Sequence, residues 1–307
     1  MSDRADWGGA PAPPPSPSEP SSSAPLASAE LDVTLPDGLR LHVRRAGRGP
    51  ALLLLHGFTG AATTWTPFLP AFAARHHVVA VDLPGHGRSD APADPARYAA
   101  TACADDLAAL LDALDIGRAA VLGYSMGGRL ALQFTLAHPA RVGALILESA
   151  SPGIADEAER AQRAAADRQL ADDIERDGVA AFVARWERLP LWASQAALPG
   201  DVRDRLRAQR LANDARGLAG SLRGAGAGVT LPLHDRLHDV RAPTLLVAGT
   251  RDEKYARQAL ATAAAIPGAR AVVVRDAGHA VHLERPAEFT RLVLEFLREQ
   301  AGSMEEA

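Results

Sequence analysis

Short runs that are apolar throughout recur along the chain: Ala51–Leu55, Val78–Val81, Ala119–Leu122, Ala144–Leu147, Thr244–Ala248 and Ala271–Val274. Continuous rather than alternating apolar character marks strands covered on both faces. Ahead of them, Leu31–Leu35 and Leu39–Arg45 flank Pro36-Asp37-Gly38 and predict an antiparallel hairpin. Between the runs the apolar residues move to helical spacing, as across Thr101–Leu114. From about Pro286, Phe289, Leu292, Val293, Phe296 and Leu297 share one helical face. The alternation predicts an eight-stranded, mostly parallel α/β sheet with helices on both faces, built from 29–153 and 234–300. Between 154 and 233 the alternation fails. That interval is helical and rich in arginine and acids, as in Glu159-Arg160-Ala161-Gln162-Arg163, and closes on Gly224-Ala225-Gly226-Ala227-Gly228. An insertion after the sixth strand falls over the carboxyl edge of a parallel sheet, so it is expected to be a helical lid. Residues 1–28, dominated by Pro, Ser, Ala and Gly, lack the apolar mass that offsets the entropy of ordering and are expected to be disordered. Residues 301–307 are expected to form a flexible C-terminus.

Composition narrows the function more than the fold. The 307 residues suffice for one α/β domain with an insertion, and a formal net charge of -4 argues against nucleic acid as a partner. No apolar run approaches bilayer-spanning length, and the first residues show no basic segment followed by an apolar core. The expectation is a cytoplasmic protein with no membrane partner. Cys103 is the single cysteine, which excludes an internal disulfide framework, and it sits in a helical apolar pattern as a packing residue. No metal, nucleotide or flavin motif occurs, so no cofactor and no metal are predicted. The sequence is silent on oligomeric state. Lys254 is the only lysine, and the other basic side chains are arginines, most of which belong on the surface of any such chain.

Chemistry concentrates at Gly123-Tyr124-Ser125-Met126-Gly127-Gly128-Arg129, between the run Ala119–Leu122 and a helical pattern. Strand, small-x-Ser-x-small, helix is the nucleophile elbow of α/β-hydrolases, in which a turn too sharp for larger residues lifts the serine above the sheet edge. A serine hydroxyl needs a partner to take its proton, and the elbow predicts an acid and then a histidine further along. Asp252 follows the strand Thr244–Ala248 and His279 follows Ala271–Val274, each at a strand end. Glu253 competes with Asp252 for the acid role, and His282 with His279 for the base role. An oxyanion hole is expected from the backbone N–H groups of Met126, next to the nucleophile, and Phe58, in His56-Gly57-Phe58-Thr59-Gly60. The segment Asp82-Leu83-Pro84-Gly85-His86-Gly87-Arg88-Ser89 reads as mainly structural, with His86 a candidate for the edge of the pocket.

The triad alone does not choose among esterases, carbon–carbon hydrolases, dehalogenases and lyases. Its surroundings go further. Tyr124-Ser125-Met126-Gly127-Gly128-Arg129, Leu147-Glu148-Ser149-Ala150-Ser151-Pro152-Gly153 and Glu159-Arg160…Arg163…Asp167 form one series with Trp186…Pro190-Leu191-Trp192-Ala193-Ser194-Gln195 and Arg210…Asn213. Gly249-Thr250-Arg251-Asp252-Glu253-Lys254 and Gly278-His279-Ala280-Val281-His282-Leu283-Glu284 complete it. The series, from about Leu41 to Leu297, resembles the 2-succinyl-6-hydroxy-2,4-cyclohexadiene-1-carboxylate synthases of menaquinone biosynthesis. The resemblance implies a lyase that eliminates pyruvate from 2-succinyl-5-enolpyruvyl-6-hydroxy-3-cyclohexene-1-carboxylate, with the activated serine acting as a base. It also implies a small tricarboxylate partner, for which bidentate Arg–carboxylate contacts are well suited. Arg129, one helical turn after the nucleophile, is matched to the pocket rim, Arg163 and Arg210 to the lid, and Tyr124 and Trp186 to aromatic walls of the pocket. Trp186 divides between pocket wall and lid core, and Lys254 between a surface position and an ion pair beside Asp252. The N-terminal tail and Leu233-His234 depart from the family pattern. Two rivals stand beside the lyase: a serine hydrolase of a small ester or a carbon–carbon bond in a diketone acid, and a non-catalytic binding protein of the same fold. The arginine set disfavours the first, and the complete triad disfavours the second.

Overall fold

In the computed structural model residues 28–305 are described, with side chains as far as Gln300. Residues 1–27 of the tail expected to be disordered, and residues 306–307, lie outside them. Strands β1 (Ser28–Thr34) and β2 (Arg40–Ala46) form the hairpin, in register from Ser28 opposite Ala46 to Thr34 opposite Arg40. Its turn places Gly38 at φ 92°, a conformation that side chains disfavour, and the Leu39 N–H donates to Asp37 Oδ1 at 3.1 Å. Ser28 thus belongs to the sheet and not to the tail. The polar start of this edge strand is held by Arg44, whose Nε donates to Glu30 at 2.8 Å, a cross-strand tie with no apolar signature.

The inner strands follow as β3 (Ala51–Leu55), β4 (His77–Val81), β5 (Ala119–Tyr124), β6 (Val142–Glu148), β7 (Thr244–Gly249) and β8 (Arg270–Val274). The sheet order is β1-β2-β4-β3-β5-β6-β7-β8. Pairing is antiparallel as far as β2–β4 and parallel from β4–β3 onward. Helices α1 (Leu69–Phe72), α2 (Ala100–Ala113) and α3 (Met126–Ala137) precede the insertion. Within it lie α4 (Glu157–Trp186), α5 (Gly200–Leu211) and α6 (Ala215–Ala225), and after it α7 (Glu253–Ala265), α8 (Val281–Glu284) and α9 (Pro286–Glu305). Helix α9 runs five residues beyond the predicted boundary at 300, so 301–305 are helical rather than a loose end. The physical reason is continuity: no proline interrupts Arg298–Glu305, and an anchored helix extends at little cost.

The continuous apolar runs are explained by two cores, one on each face. Leu53 and Leu55 of β3 join the core under α2, α3 and α7, while Leu52 and Leu54 join Trp65, Phe72, Phe289 and Val293 on the other side. A third cluster closes the insertion on itself. Ala171, Ile174, Phe182 and Val183 of α4 meet Leu218, Ala219 and Leu222 of α6, with Phe58 packed against them from the sheet edge. Helix α4 breaks at Gly178, φ 84° and ψ 164°, which lets the chain turn between its two halves. Every parallel strand from β3 to β8 delivers its carboxyl end to the same edge, and the insertion covers that edge.

Candidate active site

The nucleophile elbow is forced by backbone contact. Ser125, between β5 and α3, sits at φ 52° and ψ −108°, a strained conformation of the kind found at functional sites. A Cβ on Gly123 would lie 2.3 Å from Gly127 O, and one on Gly127 only 2.5 Å from the carbonyls of Leu55 and His56. The motif's glycines are therefore dictated by close approach of β3, β5 and α3.

Two loops from neighbouring strand ends complete the relay. Ser125 Oγ lies 2.9 Å from His279 Nε2, and His279 Nδ1 lies 2.6 Å from Asp252 Oδ2. With Nδ1–H donating to the carboxylate, Nε2 is left to accept the serine proton. The other oxygen of Asp252 accepts the Tyr255 N–H at 3.3 Å and caps α7, so the carboxylate is fixed by its own helix. His279 is 2% exposed and is boxed in by the rings of Tyr255 (4.6 Å), Tyr124 (5.5 Å) and Trp192 (5.5 Å). The rivals point elsewhere. Glu253 is exposed beside Arg257, and His282 is held by Glu148 on the other side of Tyr124. Lys254 is exposed.

The loop after β3 is pinned from within. His56 Nδ1 donates to Gly57 O at 2.8 Å, and His56 Nε2 accepts the Leu83 N–H at 3.0 Å, so the ring is neutral with its tautomer fixed. Asn213 Nδ2 donates to Thr59 O at 2.9 Å while its Oδ1 accepts the Gly87 N–H at 3.3 Å, tying this loop to the insertion. The N–H groups of Phe58 and Met126 find no acceptor among the described residues, the second because it opens α3. Asp82 is structural, taking the N–H groups of Ala62 and Arg88. His86 is buried 5.8 Å behind the Phe58 ring and does not reach the cavity. Cys103 is buried, its thiol pushed up to about 12 by that burial, as suits a packing residue.

Burial also depresses His56 to about 4 and His86 to about 3. Both are neutral in the fold, whereas unfolded histidine titrates near 6.5. Below that pH the unfolded chain binds protons that the fold refuses. Stability should therefore be intact above about pH 6.5 and decline towards about pH 4, by up to about 1.4 kcal/mol per pH unit for each histidine. Urea midpoints measured at about pH 7.5 and about pH 5 check this; coincident curves would contradict it.

Ser125 opens into a cavity of about 120 Å³ between the sheet edge, α4 and α6. Tyr124, Met126, Arg129, Arg163 and Trp186 line it together with Phe58 and His279. Arg129 reaches it from the first turn of α3. Its Nη2 donates to Ala225 O at 3.1 Å, its Nε is buried without a partner, and no carboxylate among the described residues pairs with it. Burial accordingly lowers its pKa. Arg163 is exposed on its outer side and paired with Asp167 at 2.8 Å, whose second oxygen is itself buried and unpartnered. Arg210 does not line this cavity. It lies beyond Trp192, 5.4 Å from that ring, bonded to Gln195 at 3.1 Å and Glu187 at 3.2 Å. There it lines a second cavity of about 830 Å³ that shares Phe58, Tyr124 and Trp192 as walls. Glu187 at the end of α4 holds it off. Tyr255 and the wall Ala225-Gly226-Ala227 were missed from sequence. Tyr255 carried a usable signal, standing one turn into the helix that Asp252 caps; the glycine-rich wall read only as a loop.

Among the described residues no group of three or more His, Cys, Asp or Glu is placed to hold a metal ion, and no helix is long and apolar enough to cross a membrane. The family model of the alpha/beta hydrolase fold matches residues 50–286. A Bacillus subtilis (strain 168) protein, provisionally named a 2-succinyl-6-hydroxy-2,4-cyclohexadiene-1-carboxylate synthase, is 43% identical over 87% of this chain and 98% of its own length. The synthase of that name from Enterobacter sp. (strain 638) is 33% identical over 83% of this chain and 95% of its own. The solved structure of MenH from S. aureus superposes with a TM-score of 0.80 at 35% identity, covering 82% of this chain and 94% of that one. The chain therefore belongs to the α/β-hydrolase fold family and, within it, to the 2-succinyl-6-hydroxy-2,4-cyclohexadiene-1-carboxylate synthases.

Proposed function

We propose that this chain eliminates pyruvate from 2-succinyl-5-enolpyruvyl-6-hydroxy-3-cyclohexene-1-carboxylate to give 2-succinyl-6-hydroxy-2,4-cyclohexadiene-1-carboxylate, with Ser125 as the base. The observation that carries this reading is a serine–histidine–aspartate relay opening into a cavity that also holds the guanidinium of Arg129, whose Nε is buried without a partner. A neutral ester gives such a cation nothing to bind. A substrate with three carboxylates gives it a bidentate partner.

The proton to be removed sits on the ring carbon between the succinyl ketone and the ring double bond. As Ser125 Oγ takes it, His279 takes the serine proton and Asp252 stabilises the imidazolium. Charge moves to the ketone oxygen, where the N–H groups of Phe58 and Met126 receive it. When the ketone re-forms, the double bonds shift to the conjugated 2,4-diene and the ring C–O bond to the enolpyruvyl group breaks. The departing enolate takes a proton and leaves as pyruvate, so no acyl-enzyme forms. Arg129 and Arg163 hold one end of the substrate against Tyr124 and Trp186. Arg210 takes a further carboxylate when the Trp192 ring turns aside and the two cavities merge. The helices of 154–233 act as the lid over this chemistry.

Purified protein supplied with the freshly generated enolpyruvyl substrate should release pyruvate as the diene absorbance rises, and Ser125→Ala should slow both by about 10³–10⁴-fold. A p-nitrophenyl ester is run in parallel. Ester turnover without pyruvate release overturns the lyase and leaves a serine hydrolase.

A further inference from the structure

The end of β6 carries Glu148, fully buried and outside the relay of Asp252, His279 and Ser125. Its backbone carbonyl accepts the Ser125 N–H at 2.8 Å, and in the β5–β6 register it lies opposite Tyr124. Its carboxylate reaches the segment that carries His279. Oε1 accepts the His282 N–H at 2.9 Å, and both oxygens lie 2.9 Å from His282 Nδ1. One residue thus grips the nucleophile's backbone at one end and, at the other, α8 three residues past His279. The His282 ring, 1% exposed, meets Tyr124 edge to face at 4.7 Å, and Tyr124 in turn borders His279. A second carboxylate secures the near side of the same loop: Glu284 accepts the Gly278 N–H at 2.8 Å and the Ser194 hydroxyl at 3.0 Å.

A carboxylate without solvent contact is costly unless it is paired and fully hydrogen-bonded, and well-packed apolar residues often replace such pairs without loss of stability. Packing alone does not call for Glu148 and His282. Proton transfer between hydroxyl and imidazole does depend on placement, since displacements of about 1 Å cost on the order of 100-fold in rate. We propose that Glu148 and His282 are a positioning pair that sets the Ser125–His279 separation and so the reactivity of the serine. This rests on Ser125 being activated by His279 and not on which substrate follows.

The test uses a fluorophosphonate probe. Ser125 Oγ bonds to phosphorus, the P–F bond breaks, fluoride leaves and His279 takes the hydroxyl proton, so the labelling rate reads the relay without the enolpyruvyl substrate. Glu148→Gln and His282→Leu should each slow labelling at least about tenfold while melting cooperatively. His282→Asn, whose amide nitrogen stands close to where Nδ1 stood, should stay within about threefold of the parent. Parental labelling in folded Glu148→Gln or His282→Leu overturns the proposal, as does equal slowing in His282→Asn and His282→Leu. Failure of both Glu148→Gln and His282→Leu to fold assigns the pair to the core and overturns it as well. A parent that resists the probe overturns the activated serine itself.

Discussion

Replacing Ser125 with alanine is expected to lower kcat for pyruvate release by about 10³–10⁴-fold with little change in KM. The hydroxyl is the group assigned to the ring proton, so its loss is expected to remove a transition-state interaction rather than uniform binding. His279→Ala should cost about as much, and the double substitution no more than the larger single one, because Oγ and Nε2 at 2.9 Å act as one unit. Asp252→Asn makes a sharper test. An asparagine amide would donate to Nδ1, force the proton onto Nε2, and leave His279 unable to accept from Ser125 although packing is unchanged. Steady-state kinetics of the four variants, each shown folded by its melting curve, decide the matter. A Ser125→Ala enzyme that retains a tenth of its activity would mean that another group takes the proton.

The parallel sheet was legible because its strands carry their burial in their composition. Leu52 to Leu55 face two cores at once, so no alternation interrupts the run. The start of β1 was illegible for the opposite reason: Ser28 and Glu30 are exposed, and their pairing depends on β2 across the hairpin. The Ser125–His279–Asp252 arrangement followed from local chain geometry. A strained serine between a strand and a helix, and an acid and a histidine at later strand ends, leave their mark within a few residues each. The pocket beyond it was legible only through family resemblance, which carries residue types and not the partners they meet. Arg210 shows the limit. Its charge matched the pattern, but Glu187, Gln195 and Trp192 hold it on the far side of the wall, and nothing near position 210 announces a carboxylate contributed from position 187. Glu148 and His282 were hidden in the same way, being joined across 134 positions of sequence.

Arg129→Met is expected to lower kcat/KM for pyruvate elimination by about 10²–10³-fold, or about 3–4 kcal/mol, the range for removing one partner of a buried charge-assisted contact. Thermal stability should stay level or rise. The two effects have one origin. Arg129 keeps a buried Nε with no partner, and one bond to Ala225 O does not satisfy a guanidinium with five N–H donors. A buried cation left short of partners is a cost that the free enzyme bears and that an anionic ligand relieves. Methionine fills much of the same space without that cost, so function is lost while the fold is spared. Arg129→Lys keeps the charge but not the planar fork, and should recover only part of the rate. Arg163→Met should lose less than Arg129→Met, since Arg163 already spends its Nε on Asp167 and stands partly in solvent. Kinetics and melting curves of the three variants read both halves of the expectation. A fall in melting temperature with kcat/KM intact would make Arg129 a brace between α3 and the Ala225 turn and would take away the chief reason for assigning the cavity to a polycarboxylate.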